Sequence, residues 1–162
     1  MARASASFES LREDIDALAA TLGVPSVLVM RSLPAAMRVE ASGGDLEATY
    51  PIGAEGRKSV HPEGGVPLYC ERVVDDDAPL FVRDSRRHPE LAGNEDEAEF
   101  GLSNYLGLPV HAPDGSVFGT VCVLSTEARA YSAEEQAALD ELRRKAEALL
   151  SAAPPADPAP RA

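Results

Sequence analysis

Residues 104–124 read NYLGLPVHAPDGSVFGTVCVL, and this stretch decides the fold. Two apolar runs, 104–111 and 117–125, lie on either side of a Pro-Asp-Gly turn at 113–115. Proline and glycine supply the backbone angles of a tight turn, so the stretch predicts a β-hairpin. In the second run, alternation assigns Phe118, Thr120, Cys122 and Leu124 to one face and Val117, Gly119, Val121 and Val123 to the other. Because both faces are largely apolar, we expect the sheet to be covered on both sides.

Amphipathic helices are predicted near both ends of the chain. The first covers residues 8–22, where apolar side chains recur every three or four positions, and Gly23 allows the left-handed conformation that ends a helix. The closing helix covers 133–150 and follows Ser132, which has the spacing of a capping box with Glu135. Each helix has one apolar face, and we expect the two to pack together.

Shorter elements lie between the first helix and the hairpin. Strands are predicted at 24–33, 37–41, 48–54 and 80–84, and a short helix at 66–74. Residues 53–65 are expected to form an irregular loop, and residues 85–99 a polar excursion at the surface. Such segments often carry function, because a rigid sheet positions them.

The charge balance excludes several classes of partner. The chain carries 15 basic and 27 acidic residues, a formal net charge of −12, whereas nucleic acids and anionic membranes attract clustered Lys and Arg. No apolar run reaches the roughly 18 residues of a membrane span, and the N-terminus lacks the apolar core of a secretion signal. We therefore expect one cytoplasmic domain, residues 1–151, followed by a disordered Pro/Ala-rich tail or linker at 152–162.

Two cysteines, Cys70 and Cys122, lie far apart in the sequence. Metal sites usually show closely spaced pairs, and secreted disulfide scaffolds carry many more cysteines. We expect two thiols in a reducing compartment and no metal site. The sequence leaves open whether the pair is redox active or fills space as small apolar groups.

Several segments together resemble a GAF domain. They are Leu68-Tyr69-Cys70-Glu71, residues 79–84, the hairpin, and Ala130-Tyr131-Ser132 before the closing helix. GAF domains are small-molecule-binding sensory domains of the type found in bacterial histidine kinases and diguanylate cyclases. The resemblance implies an α+β fold related to PAS domains, with a central antiparallel sheet of six strands and helices on both faces.

The resemblance also implies a ligand pocket on one face of the sheet, covered by residues 61–74 and 85–99. By position, the implied ligand-binding residues are Cys70, Phe81, Asp84 and Tyr105. Each has a simpler interpretation: Cys70 and Phe81 as core residues, Asp84 as the cap of the next turn, and Tyr105 as a sheet aromatic. No catalytic residue or metal ligand is implied, and the ligand and any cofactor are unknown.

The implied function is a non-catalytic sensory module. It would bind a small molecule or a protein partner and pass the signal in trans, or to an effector domain outside this chain. Related domains often pair through their first and last helices, so a homodimer is a further expectation.

Two alternatives remain open. One is a stand-alone reductase of free methionine sulfoxide, an activity of small isolated GAF proteins. The catalytic cysteines of those enzymes lie around the loop before the hairpin, where this chain has the acidic residues 93–97 and no cysteine, which disfavours the activity. A bilin chromophore is also disfavoured, because no cysteine lies at 99–105 to anchor it.

The second open alternative is a pure dimerisation or interaction module with a collapsed pocket.

Overall fold

The computed structural model describes residues 8–46, 49–59 and 66–152. Its helices are α1 (Arg12–Leu22), α2 (Tyr69–Asp76), α3 (Glu95–Phe100) and α4 (Ala133–Ala152), with short 3-10 helices at Phe8–Leu11 and Ser85–Arg87. Its strands are β1 (Ser26–Ser32), β2 (Ala36–Gly43), β3 (Glu55–Arg57), β4 (Leu80–Val82), β5 (Asn104–His111) and β6 (Val117–Ser125). No helix in these ranges is long and apolar enough to cross a membrane.

The six strands form one antiparallel sheet in the order β3-β2-β1-β6-β5-β4. The predicted α+β class and six-stranded sheet are therefore confirmed. The predicted hairpin is β5 and β6, joined by a turn in which Gly115 has a φ of 92°. β6 lies between β1 and β5. A strand in this central position needs apolar side chains on both faces, and the sequence of β6 provides them.

Alternate residues of β6 contribute to two separate cores. Val121 and Val123 pack with α1 and α4 on one face, where Ile15 and Leu139 are fully buried. The first and last helices share this core, as predicted. Cys122 belongs to the core on the other face, together with α2.

A β-bulge changes the predicted faces of β6. Val110 pairs with Gly119, but His111 pairs with Val117, so Phe118 is an extra residue in the strand. The bulge turns Phe118 towards the α1 side, where its ring centroid lies 5.6 Å from that of Phe8. The prediction that Phe118 shares a face with Thr120, Cys122 and Leu124 is therefore wrong.

The region between β2 and α2 differs from its prediction. Residues 49–54 form turns around Pro51 and Gly53, and the strand lies instead at β3, inside the predicted loop. The polar segment 85–99 contains most of α3, which Asn94 caps by accepting hydrogen bonds from the backbone N–H groups of Asp96 and Glu97. The interpretations of His61 as part of the pocket cover and of 153–162 as a tail lie outside the described residues.

The buried side chain of Asn104 joins three segments at one end of the sheet. Its amide group donates hydrogen bonds to the carbonyl oxygens of Val82, Arg83 and Arg129, and its oxygen accepts one from the Tyr131 hydroxyl. Burial without these partners would leave several polar groups unsatisfied. Asn104 therefore holds the end of β4 and the segment before α4 against β5.

We predict that Asn104→Ala lowers the free energy of unfolding by about 3 kcal/mol, because it orphans buried carbonyls as well as the Tyr131 hydroxyl. Tyr131→Phe removes only one bond of the network and is expected to cost about 1 kcal/mol. Urea denaturation of both variants measures the two values. Equal losses would contradict the central role of Asn104.

Candidate functional site

A cavity of about 220 Å³ lies on the α2 side of the sheet. Its floor is made of buried apolar and sulfur-bearing side chains: Met30, Met37, Val39, Leu68 and Cys70. An apolar cavity of about 150 Å³ is known to hold a benzene-sized molecule. The space therefore suits a small metabolite, and it is below the roughly 300 Å³ at which drug-sized pockets begin.

The mouth of the cavity is acidic. Glu55 from β3 and three carboxylates from α3, Glu95, Asp96 and Glu99, line it. No described residue that lines the cavity carries a positive charge. The cavity therefore combines an apolar floor with a strongly negative opening.

Two aromatic rings stand at the same opening. The rings of Tyr50 and Phe100 meet edge to face with centroids 5.4 Å apart, and Phe100 is 39% exposed. An aromatic face attracts organic cations, and nearby carboxylates reinforce that attraction. An exposed ring beside an acidic cavity is therefore suited to a positively charged organic group.

Asp96 connects α3 to the loop before β3. Its carboxylate accepts a hydrogen bond from the Tyr50 hydroxyl at 2.6 Å. Burial, with repulsion from Glu95 and Glu99, raises the Asp96 pKa to about 6, although the Tyr50 bond opposes the shift. The pKa of Glu95 is also raised, by burial and by Glu99. The negative charge at the mouth therefore varies with pH near neutrality.

Glu71 fixes the wall of the cavity between β3 and α2. This carboxylate is 1% exposed and accepts hydrogen bonds from the backbone N–H groups of Ser59 and Leu68 and from the Ser59 hydroxyl. The bond from Leu68 satisfies a free donor at the start of α2. Glu71 therefore holds the segment after β3 against the helix that carries Cys70.

A cluster of thiols and hydroxyls surrounds Cys70 at the cavity floor. The Cys70 Sγ is 3.8 Å from the Cys122 Sγ, 3.2 Å from the Tyr105 hydroxyl and 3.4 Å from the Thr120 hydroxyl. Hydrogen bonds from Cys122, Thr120 and Tyr105 lower the pKa of Cys70, although burial opposes them. Burial raises the pKa of Cys122.

Tyr105 is held rigidly in this cluster. Its ring stacks on that of Tyr69 with centroids 4.6 Å apart, and its hydroxyl lies over Gly107, where an added Cβ would come 2.1 Å from the hydroxyl oxygen. The Tyr69 hydroxyl in turn donates to the carbonyl of Leu102. Glycine at 107 therefore leaves the space in which Tyr105 reaches Cys70.

The sequence model of the GAF domain family matches residues 9–150. This chain belongs to the GAF domain family. The match spans the sheet, both flanking layers and the cavity, so the family resemblance seen in the sequence is confirmed.

Solved structures of other GAF domains share the fold. The GAF domain of a phosphoenolpyruvate-protein phosphotransferase from Coxiella burnetii superposes with a TM-score of 0.69 at 16% identity, covering 92% of this chain and 84% of that one. A domain of a putative two-component sensor histidine kinase from Sinorhizobium meliloti 1021 gives 0.62 at 17% identity, covering 92% and 94%. The free methionine-R-sulfoxide reductase of Neisseria meningitidis gives 0.65 at 15%, covering 88% and 77%. At these identities the likeness shows the fold alone.

One curated protein has a similar sequence over part of the chain. The diguanylate cyclase DgcP of Escherichia coli strain K12 is 36% identical over 64 residues. The match covers 39% of this GAF domain chain and 18% of the cyclase. It therefore spans less than a fifth of that relative.

The structure brings two of the four predicted ligand residues together. Cys70 lines the cavity, and Tyr105 lies directly behind it, fully buried. Phe81 lies on the face of β4 that points away from the cavity. Its side chain is 46% exposed, and its ring packs edge to face on that of Tyr131. Asp84 caps the 3-10 helix that follows it and pairs with the Arg86 guanidinium at 2.9 Å, which lowers its pKa. Phe81 and Asp84 are therefore outside the cavity of this GAF domain.

The acidic mouth was not predicted from the sequence. Glu95 and Asp96 belong to the polar surface segment 85–99, and the structure shows that they lie on α3 and line the cavity. The signal for α3 was Asn94 followed by three acidic residues, a combination typical of a helix start. The contact of Asp96 with Tyr50 joins residues that are distant in the chain, so no local pattern reveals it.

We predict that Glu71→Ala lowers the free energy of unfolding by about 2–3 kcal/mol, because the partly buried donors of Ser59 and the buried N–H of Leu68 lose their acceptor. The matched control is Glu90→Ala, which removes an exposed partner of Arg72 and should cost less than about 1 kcal/mol. Thermal or urea denaturation compares the two. Equal losses would show that Glu71 does not hold the cavity wall.

Proposed function

We propose that this chain is a sensory GAF module that binds a small organic cation in the cavity. The observation that carries the proposal is the combination of an apolar floor with four carboxylates and an exposed aromatic ring at the mouth. The ligand's apolar part would contact the floor residues Met30, Met37 and Cys70. Its positive charge would face Asp96 and the other carboxylates, with the Phe100 ring beside it.

Signalling output is the second part of the proposal. The family match and the similarity to part of a diguanylate cyclase support a regulatory role, in which ligand binding shifts a conformational equilibrium read by a signalling partner or an effector domain. α3 supplies three of the four carboxylates at the mouth and has no fully buried residue. A bound cation that neutralises their mutual repulsion would therefore stabilise α3 in one position.

We predict that phenethylamine binds more tightly than phenylethanol, its neutral analogue, and that phenylacetate does not bind detectably. The three probes share the apolar ring and differ in charge, so the comparison isolates the effect of the carboxylates. Calorimetry at about 0.15 M salt suppresses attraction to the overall negative charge. Binding of phenylacetate as tightly as phenethylamine would contradict the proposed ligand class.

The pH dependence of phenethylamine binding tests whether the probe binds beside Asp96. Deprotonation of Asp96 near pH 6 creates negative charge at the mouth, so the affinity for phenethylamine should rise by up to about tenfold between pH 5 and pH 7. Asp96→Asn should flatten this profile, whereas Glu141→Gln on the distant helix α4 should leave it unchanged.

Ala54→Leu extends a cavity-lining side chain and should abolish binding. Binding that survives Ala54→Leu would place the probe elsewhere.

One observation favours a second function, reduction of free methionine sulfoxide. A cavity-lining thiol, Cys70, lies 3.8 Å from a second thiol, Cys122. Neither is in the loop before the hairpin, where the resemblance to those enzymes would place the catalytic cysteines. Incubation of the reduced protein with free methionine sulfoxide distinguishes the two functions. Formation of one methionine per chain, and its absence in Cys70→Ser, would identify a reductase. If no methionine forms, the sensory module remains the proposed function.

A further inference from the structure

The two cysteines form a dithiol whose members have different access to the cavity. Cys70 is 8% exposed and lines the cavity, whereas Cys122 is fully buried on β6 behind it. Both are free thiols, and their sulfur atoms are 3.8 Å apart. A small molecule that enters the cavity therefore meets Cys70 first, with Cys122 already beside it.

We propose that Cys70 and Cys122 form a peroxide-reactive modification site, in which a hydroperoxide that enters the cavity converts the two thiols to an intramolecular disulfide. The site needs neither the proposed cation nor catalytic turnover. Its reagent is a small neutral hydroperoxide, of which hydrogen peroxide is the simplest. The modification would change the floor of the sensory cavity and so make the module responsive to oxidants.

The first step takes place at Cys70. Its thiolate sulfur attacks one oxygen of the peroxide, an S–O bond forms, the O–O bond breaks, and the leaving oxygen takes up the proton released by the thiol to give water or an alcohol. The hydroxyl groups of Thr120 and Tyr105 and the thiol of Cys122 surround this sulfur at 3.2–3.8 Å and can donate to the thiolate. Cys70 is then a sulfenic acid.

The second step forms the disulfide. The Cys122 sulfur attacks the Cys70 sulfur, an S–S bond forms, the S–O bond breaks, and the hydroxyl leaves as water with the Cys122 proton. The peroxide has been reduced by two electrons and the dithiol oxidised by two. The sulfur atoms must approach by about 1.8 Å to reach the roughly 2.05 Å of a disulfide. Cys70 is on α2 and Cys122 on the central strand β6, so this approach requires α2 to shift towards the sheet.

The polar neighbours of Cys70 also argue for chemistry rather than space filling. A buried cysteine that serves only as an apolar group needs no hydrogen-bond donors. Here a threonine and a tyrosine hydroxyl both point at one sulfur in an otherwise apolar layer, and they favour its ionised form. Asp96 acts in the opposite direction, and its effect is smaller than that of the hydrogen bonds.

The test treats the reduced, folded protein with hydrogen peroxide and identifies the products by mass spectrometry. We expect the intact mass to fall by about 2 Da, both thiols to be lost together, and dithiothreitol to reverse the change. Cleavage after Arg72 and Arg87 puts the two cysteines on separate peptides, so a crosslinked peptide pair locates the disulfide. Retention of both thiols, or a disulfide between two chains, would overturn the proposal.

Variants assign the two roles. Cys122→Ser should leave Cys70 as a sulfenic acid, trapped by dimedone, while Cys70→Ser should leave Cys122 unmodified over the same time. Thr120→Val removes one donor to Cys70 and should slow oxidation by roughly threefold to tenfold. Circular dichroism confirms that each variant is folded. Equal modification of Cys122 in Cys70→Ser would show that access through the cavity does not control the reaction.

Discussion

The register of β6 between β1 and β5 is the constraint on which the rest of the structure depends. Neighbouring residues of a strand point to opposite faces, so pairing of Cys122 with Leu28 and Gly107 directs its thiol towards the cavity side. The same register directs Val121 and Val123 to the helices α1 and α4. A slip by one residue would exchange the two sets and separate Cys122 from Cys70.

This constraint explains why the fold was predictable and where prediction failed. The hairpin was found because its signals are local: two apolar runs and a Pro-Asp-Gly turn at 113–115. The face of Phe118 was wrong because a bulge depends on the pairing partner, and the alternation of one strand does not reveal it. A second irregularity in the pairing of β1 with β2 places Ala41 and Val39 on opposite faces in the same way.

Prediction of the site followed the same division. Cys70 and Tyr105 lie on the cavity side of the sheet, as expected, because they are on elements packed into the core, where position in the fold determines direction. Phe81 was misplaced because β4 has three residues, too few for alternation to show that Val82, and not Phe81, faces inward. The acidic mouth was missed because it depends on contact between α3 and Tyr50, which arises only in the folded chain.

The cavity combines two chemistries that would conflict if they were adjacent. Carboxylates suppress ionisation of a thiol, yet the Cys70 pKa is lowered, because hydrogen bonds from Cys122, Thr120 and Tyr105 act at contact distance. The carboxylates at the mouth would instead select what reaches the thiol: they repel anionic oxidants and leave a neutral hydroperoxide free to enter. A cation bound at the mouth would compete with peroxide for the same entrance. The acidic mouth and the thiol floor are therefore compatible in a single cavity.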